Sequence, residues 1–398
     1  MENERPPLIA SGEELTALAQ ELAEETSVAV DLEADSYHCY FARVCLLQFT
    51  TSRRTVLLDP LAFPDLDPLK PVMADRGIRK IFHAADYDVR CLHRDFGIEV
   101  HNLFDTMTAF KLLGEECLGL GDLVRKYFGV EMDKRFQRAN WAIRPLPEEM
   151  LQYAAGDTRY LHRLTAVVEK QLKDKGRMAW AEEEFVLLED LRHNDMPGHL
   201  VKAMPEAAAF NRRQIAALEG LLHWRDDLAR RHNRRYFQIL SGTALTAMAA
   251  ALPASAEELA ALKELPASLR ERHGQELLKI MEEVRLLPED QLPELPSPPS
   301  RQRNFLSNGF TKDLKAWRTT AAAELGLDPG TLINNSLLEE IARRKPVTRE
   351  ALGRIPGLKR WQIEALGEQL IALIRQPGKP PGKPKRKRRR SPAAPKGE

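Results

Sequence analysis

Two acidic residues, Asp31 and Glu33, stand two apart in the segment SVAVDLEAD, where Val28, Val30 and Leu32 alternate with Ala29 and the acids. That alternation is strand patterning, and it turns both carboxylates to one face, about 6.5 Å apart along the chain. Carboxylates so placed can hold a cation or act as acid and base, but Asp-x-Glu is equally an ordinary strand end reaching water. Asp88 lies in KIFHAADYDVRCLHRDFGI, which reads as a strand running into a helix with the acid in its first turn. The helix dipole favours an acid there whatever the protein does. In MLQYAAGDTRYL the step from Tyr153 to Asp157 puts a phenol and a carboxylate on one helical face, as would a packed tyrosine beside a solvated acid. Each feature alone has a structural explanation, and only their joint order points to chemistry.

Those residues need a scaffold. Residues 13–24 suit a helix, and Val28–Glu33, Arg43–Thr50, Thr55–Asp59 and Arg79–His83 suit strands. Helical patterns follow at 86–95, 105–113, 120–128 and from Pro147 through Asp190, with a break near Gly176. Early strands and later helices predict an α/β domain over residues 1–195, a mixed sheet flanked by helices, with a linker from His193 to Pro205. Beyond residue 205 strand signals stop and the sequence repeats at an offset of 93. Trp224-Arg225 recurs as Trp317-Arg318, Ile239-Leu240 as Leu332-Ile333, Leu245 as Leu338, Pro253 as Pro346, and Leu277-Leu278 as Leu370-Ile371. Ser255 recurs as Thr348, and each precedes a helical run as an N-cap should. Two all-α domains are expected, over 205–287 and 305–376, with Trp224 and Trp317 packing their cores. A Pro-rich spacer over 288–304 joins them, and a basic tail over 377–398 has too little apolar content to fold.

A chain of 398 residues asks for several cores. Its start, MENERPPLIA, is charged where a secretory signal would be apolar, and no stretch reaches the roughly 18 to 20 apolar residues of a membrane span. A cytoplasmic protein with no membrane partner is the expectation. Cys39, Cys45, Cys91 and Cys117 include no CxxC pair, which indicates neither a disulfide framework nor zinc. The net charge of +1 conceals an asymmetry: residues 379–398 hold nine Lys/Arg and one Glu, leaving 50 basic and 57 acidic residues in the body. Nucleic acid would therefore be held by local clusters such as Arg230–Arg235, Arg343–Lys345 and Lys359-Arg360, supplemented by the tail.

In order along this layout, Asp31-x-Glu33, His83-x4-Asp88 and Tyr153-x3-Asp157 resemble the DEDD exonuclease superfamily in its tyrosine-bearing branch, and within it the ribonuclease D family. The nuclease pattern spans about residues 20–170, including DKRFQRANWAIRPLPEEMLQYAAGD, and the two repeats look like helicase-and-RNase-D C-terminal (HRDC) domains. The resemblance implies a ribonuclease H-like exonuclease domain and a 3′-5′ exoribonuclease releasing 5′-mononucleotides with two divalent ions, Mg²⁺ or Mn²⁺. It implies that Asp31 bridges both ions, Glu33 and Asp157 complete the nucleophile side, Asp88 serves the leaving group, and Tyr153 positions the attacking water. The chemistry fits these residue types. Two ions about 3.5 to 4 Å apart activate the nucleophile and stabilise the departing alkoxide, and four converging carboxylates repel one another unless cations sit among them.

By the same resemblance His83 is a candidate substrate contact, and Trp141 and Arg144, in a loop before the Tyr153 helix, are candidate base-stacking and phosphate contacts. Asp105, opening DTMTAFKLL, reads as an N-cap or support and not as a ligand. Leu32 and Ala34 depart from the family's usual threonine and aromatic; Leu32 should face away from the metals. The substrates implied are tRNA precursors and other structured small RNAs, with no obligate protein partner. A DNA exonuclease would carry the same acids and a silent RNA-binding scaffold the same fold. Paired HRDC domains favour RNA, and the intact acids with Tyr153 favour catalysis. A helicase is excluded, because no GxxxxGK[S/T] phosphate loop is present.

Overall fold

The computed structural model describes residues 5–35, 39–193, 204, 207, 209–293 and 305–375, with 305–308 by backbone alone. Most of the expected linker before Pro205, most of the 288–304 spacer and the basic tail over 377–398 lie outside the described residues. Contacts divide the chain into two compact units, one of residues 1–110 and 116–301, the other of 302–398 with 111–115.

In the first unit, β1 (Leu8–Ile9), β2 (Ser27–Ala34), β3 (Val44–Thr50), β4 (Thr55–Leu58), β5 (Arg79–Phe82) and β6 (Leu103–Asp105) form one mixed sheet in the order β1-β4-β3-β2-β5-β6. The central place of β2 follows from its sequence, since Val28, Ala29 and Val30 are almost wholly buried and leave no edge for water. It pairs antiparallel with β3 and parallel with β5, and a register irregularity follows Glu33. Around the sheet lie α1 (Gly12–Ala23), α2 (Lys70–Ala74), α3 (Asp86–Phe96), α4 (Thr106–Leu113), α5 (Leu120–Phe128), α6 (Glu148–Arg159), α7 (Leu161–Asp174) and α8 (Met178–Glu189). Ser11 and Glu14 close a capping box on α1, and Gly97 ends α3 in the left-handed conformation, where a Cβ would be strained. The long helical pattern from Pro147 breaks twice: near Gly176, which takes φ +66, and also at Tyr160, which ends α6 and begins α7.

The first helical copy comprises α9 (Arg212–Arg231), α10 (Tyr236–Ile239), α11 (Gly242–Ala251), α12 (Ala256–Ala260) and α13 (Ala267–Leu286). It touches the loop after β2, where the Tyr40 hydroxyl donates to Asp226 at 2.8 Å and the Phe41 amide donates to the Asn233 side chain at 2.9 Å. The second copy, by itself, comprises α14 (Phe305–Leu325), α15 (Pro329–Leu332), α16 (Asn335–Arg344), α17 (Arg349–Gly353) and α18 (Arg360–Arg375). The repeated Trp-Arg pair does one job in both. Trp224 and Trp317 are buried and donate to Glu276 at 2.7 Å and Gln369 at 3.0 Å, while Arg225 and Arg318 reach the carbonyls of Leu240 and Ile333. Ser255 and Thr348 accept from the amides of Glu258 and Ala351, the expected caps.

The second copy has its own core, including Leu314, Trp317, Leu338, Ile341, Trp361 and Leu370. A fragment of residues 302–376 is expected to melt cooperatively with helical circular dichroism, and Trp317→Ala should remove about 3 to 5 kcal/mol of its stability. A broad, non-cooperative melt would show that this core does not suffice.

Candidate active site

The antiparallel register sets Asp31 opposite Gln48 and Glu33 opposite Leu46, so all four side chains share one face of the sheet. Helix α6 roofs that face. Thr50, two residues along from Gln48, bonds Thr158 of α6 at 2.7 Å, and Leu46 packs with Met150, Leu151, Ala154 and Ala155. Ala154 and Ala155 are fully buried, and their small side chains let the helix lie close to the strands. Tyr153 and Asp157 project from α6, partly exposed, as are Asp31 and Glu33.

Asp88 arrives from the other side, in the first turn of α3, and is 6% exposed. Its placement depends on Asp105, which is fully buried. One Asp105 oxygen accepts the Ala85 amide at 2.6 Å and the other accepts the Thr108 amide at 2.6 Å, tying the starts of α3 and α4 together. The chain turns from β5 into α3 through Ala84 at φ +67.

The four carboxylates are close enough to control one another's charge. Burial pushes the Asp31 carboxyl up to about 7, against the pull of the Leu32 amide and a hydrogen bond with Asp88. Glu33 is raised by burial and then by Asp31, Asp157 and Asp88; Asp88 by burial and then by Asp31 and Asp105; Asp157 by burial and then by Asp31. Among the described residues, no cationic side chain contributes to any of the four shifts, so none relieves the crowding. A set of half-buried oxygen donors with no basic partner fits hard divalent cations. Among the described residues, no three His, Cys, Asp or Glu side chains are already closed round a common point. The Tyr153 phenol is held well above its ordinary range by burial and by Asp157, Glu33 and Asp31, so it stays protonated and serves as a hydrogen-bonding group.

The three candidate substrate contacts sit differently. His83 Nδ1 lies 2.9 Å from the Thr106 hydroxyl, and burial lowers its pKa, so it is a neutral ring beside the Asp105 support. Trp141 is 1% exposed and packs with Phe136 against Tyr153, at ring separations of 6.0 and 5.8 Å. Burial leaves it no face for a base. Arg144 forms a two-pronged pair with Asp59 at 2.5 and 2.6 Å and donates to the carbonyls of Trp141, Ile143 and Cys45, which occupies the guanidinium that a phosphate would need. Both therefore act as a brace behind Tyr153. The brace partners Asp59 and Phe136, like Gln48, were not singled out in the sequence, because their roles arise from pairings across 85, 17 and 17 residues that no local pattern displays.

A carboxyl whose folded pKa is raised confers stability that is present below its unfolded value near 4 and lost as pH rises through the folded value. With Asp31 raised to about 7, Asp31→Asn should melt higher than the parent in chelator at pH 8, and the gap should widen steadily from pH 4. At about 2 to 4 °C per kcal/mol for a domain of this size, the gap is measurable by calorimetry. A gap independent of pH would show that Asp31 carries no such load.

Residues 8–173 match the 3′-5′ exonuclease family, and residues 214–281 and 307–374 each match the HRDC domain. The chain is 29% identical over 374 residues to ribonuclease D of Granulibacter bethesdensis, covering 92% of each protein. It is 34% identical over 256 residues to exosome complex component 10 of Mus musculus, covering 62% of this chain and 29% of that protein. The crystal structure of Escherichia coli RNase D, described as an exoribonuclease involved in structured RNA processing, superposes with a TM-score of 0.74 at 26% identity, covering 94% of this chain and 99% of that one. The mixed sheet with its roofed acidic face, the matched exonuclease segment and the tandem helical copies agree over nearly the whole length: the chain belongs to the ribonuclease D family of 3′-5′ exoribonucleases, an exonuclease domain followed by two HRDC domains.

Proposed function

We propose that Asp31, Glu33, Asp88 and Asp157 hold two divalent ions, Mg²⁺ or Mn²⁺, and that the enzyme removes 5′-mononucleotides one at a time from the 3′ end of RNA. The observation that carries this reading is the gathering of four carboxylates at one end of the sheet, Asp31 raised by burial and the other three by burial and acidic neighbours, with no cationic side chain among the described residues to relieve it. Bound cations would supply charge neutralisation at the phosphodiester and a more acidic water. The chain's own part is positional. Asp31, central in β2, faces both acid-bearing helices; Glu33 and Asp157 lie toward Tyr153 and serve the nucleophile side, and Asp88 on α3 serves the leaving side. Tyr153, protonated and braced by Trp141 and Phe136, orients the attacking water through its hydroxyl.

The substrates proposed are tRNA precursors and other structured small RNAs, met in the cytoplasm. The curated ribonuclease D relatives are bacterial, and no described helix is long and apolar enough to cross a membrane. The basic tail supplies long-range attraction that the slightly acidic remainder of the chain lacks, and the helical copies add local basic clusters.

With Mg²⁺, 3′-labelled RNA should lose its label as mononucleotide at once, while 5′-labelled RNA shortens gradually; chelator should stop both, and a matched DNA strand should be cut more slowly. Immediate internal fragments would contradict the exonucleolytic reading. Tyr153→Phe should lower kcat at least tenfold, about 1.4 kcal/mol of barrier, with RNA affinity measured in chelator unchanged. Equal losses in kcat and affinity would make Tyr153 a substrate contact. Truncation after Arg375 should leave cleavage of a short saturating oligonucleotide intact and flatten the salt dependence of binding to long RNA, by roughly 0.7 to 0.9 in log-log slope for each phosphate that the tail had neutralised. Superimposable slopes would make the tail a bystander.

A further inference from the structure

Gln48 is fully buried, and among the described residues neither its amide nitrogen nor its amide oxygen has a hydrogen-bond partner. A buried amide without partners is a cost that an apolar side chain of the same shape would avoid. The place of the residue gives the cost a purpose. Gln48 is the register partner of Asp31, and directly opposed residues of an antiparallel pair present their side chains to one face with Cβ atoms about 4.5 to 5.5 Å apart. Along that face Leu46 packs under Met150 and Leu151, and Thr50 bonds Thr158. Gln48, between them, points beneath the middle turn of α6, with Asp31 beside it and the turn bearing Tyr153 and Asp157 above.

Asp31 itself is spoken for on one side only. It accepts the Leu32 amide and hydrogen bonds Asp88. On its other side the strand register places the Gln48 amide, an uncharged donor that has no other hydrogen-bond partner among the described residues. Ligands whose outer lone pairs are held by a hydrogen bond bind metal more tightly than ligands free to rotate.

We propose that Gln48 is a positioning residue for the metal site, its amide N–H donating to the Asp31 carboxylate when that carboxylate faces a cation. The inference rests on the proposed metal site. It assigns Gln48 no contact with RNA and no part in proton transfer. An amide is suited to this place because it keeps its donor at every pH, whereas a lysine or arginine there would neutralise Asp31 and compete with the cations.

The test combines calorimetric Mn²⁺ binding without RNA, melting in chelator, and the side-chain amide NMR signals. Gln48→Met keeps the shape and removes the donor. It should melt at or above the parent in chelator, because the unpartnered amide is gone, yet bind Mn²⁺ at least tenfold more weakly. Lower melting in chelator would show that the amide already has a structural partner and would overturn the proposal, as would unchanged Mn²⁺ affinity. Should Gln48→Met fail to fold, the parent decides alone: the Gln48 amide signal, assigned by its loss in Gln48→Asn, should move on adding saturating Mg²⁺ and stay still in Asp31→Ala. A signal indifferent to Mg²⁺ in the parent would refute the role. Asp31→Ala also separates the two readings. If it binds Mn²⁺ as tightly as the parent, the metal site itself is wrong; if it loses binding while Gln48→Met does not, only the role of Gln48 falls.

Discussion

Four carboxylates crowded at one end of a sheet, three of them with burial as well as acidic neighbours raising their pKa, are the constraint to which the rest of the nuclease domain answers. Left to themselves they would turn to water or keep their protons. The fold prevents the first by fixing the acids on rigid elements: Asp31 and Glu33 on a central strand, Asp88 on the first turn of α3, Asp157 on α6. It does so with buried polar ties. Asp105 fastens the start of α3 to that of α4, the Thr50–Thr158 bond seats α6, and Arg144 with Asp59 holds the loop that leads into it. Each of these ties fixes an element on which one of the acids is carried. Elements that spend stability to hold a charge pattern are characteristic of functional sites.

The helical copies obey a different logic. Each is organised by a tryptophan whose ring fills the core and whose N–H bonds a polar side chain on the last long helix, and by an arginine that satisfies a carbonyl after the short helix. These are packing devices, repeated at one spacing because the same tertiary contacts recur. The copies diverge on their surfaces. At the short helix the first carries Arg234, Arg235, Tyr236 and Phe237, where the second carries Leu327, Asp328, Pro329 and Gly330. The first also reaches the loop that follows β2, through Asp226 and Asn233, so it bears on the strand that holds Asp31.

Much of this was legible in the sequence, for reasons that also explain what was not. Strand alternation put Asp31 and Glu33 on one face, the i to i+4 step paired Tyr153 with Asp157, and the offset of 93 exposed the repeat, because each depends on spacing within one element or on direct copying. Strands β1 and β6, of two and three residues, are too short to show a period, and α2 is a single turn. The break at Tyr160 is hidden because no Gly or Pro marks it. Trp141 and Arg144 looked like RNA contacts because an aromatic and a cation in a loop before a catalytic helix ordinarily face solvent; the partner that draws Arg144 inward, Asp59, is 85 residues away. Gln48 gave no signal at all, since a glutamine in VCLLQFT reads as a solvent-facing residue of a strand, and only the pairing with β2 and the roof of α6 bury it.

The central claim is that the carboxylates are held off their ordinary ionisation so that divalent cations can take the place of protons. Counting bound Mn²⁺ per chain by equilibrium dialysis at pH 7.5, with the parent and Asp31→Asn side by side and no RNA present, tests it most directly. The account predicts two tightly held ions in the parent and neither at the same free concentration in the variant, with protons released on binding to the parent alone. Fewer than one ion per parent chain, or an unchanged count after Asp31→Asn, would contradict it.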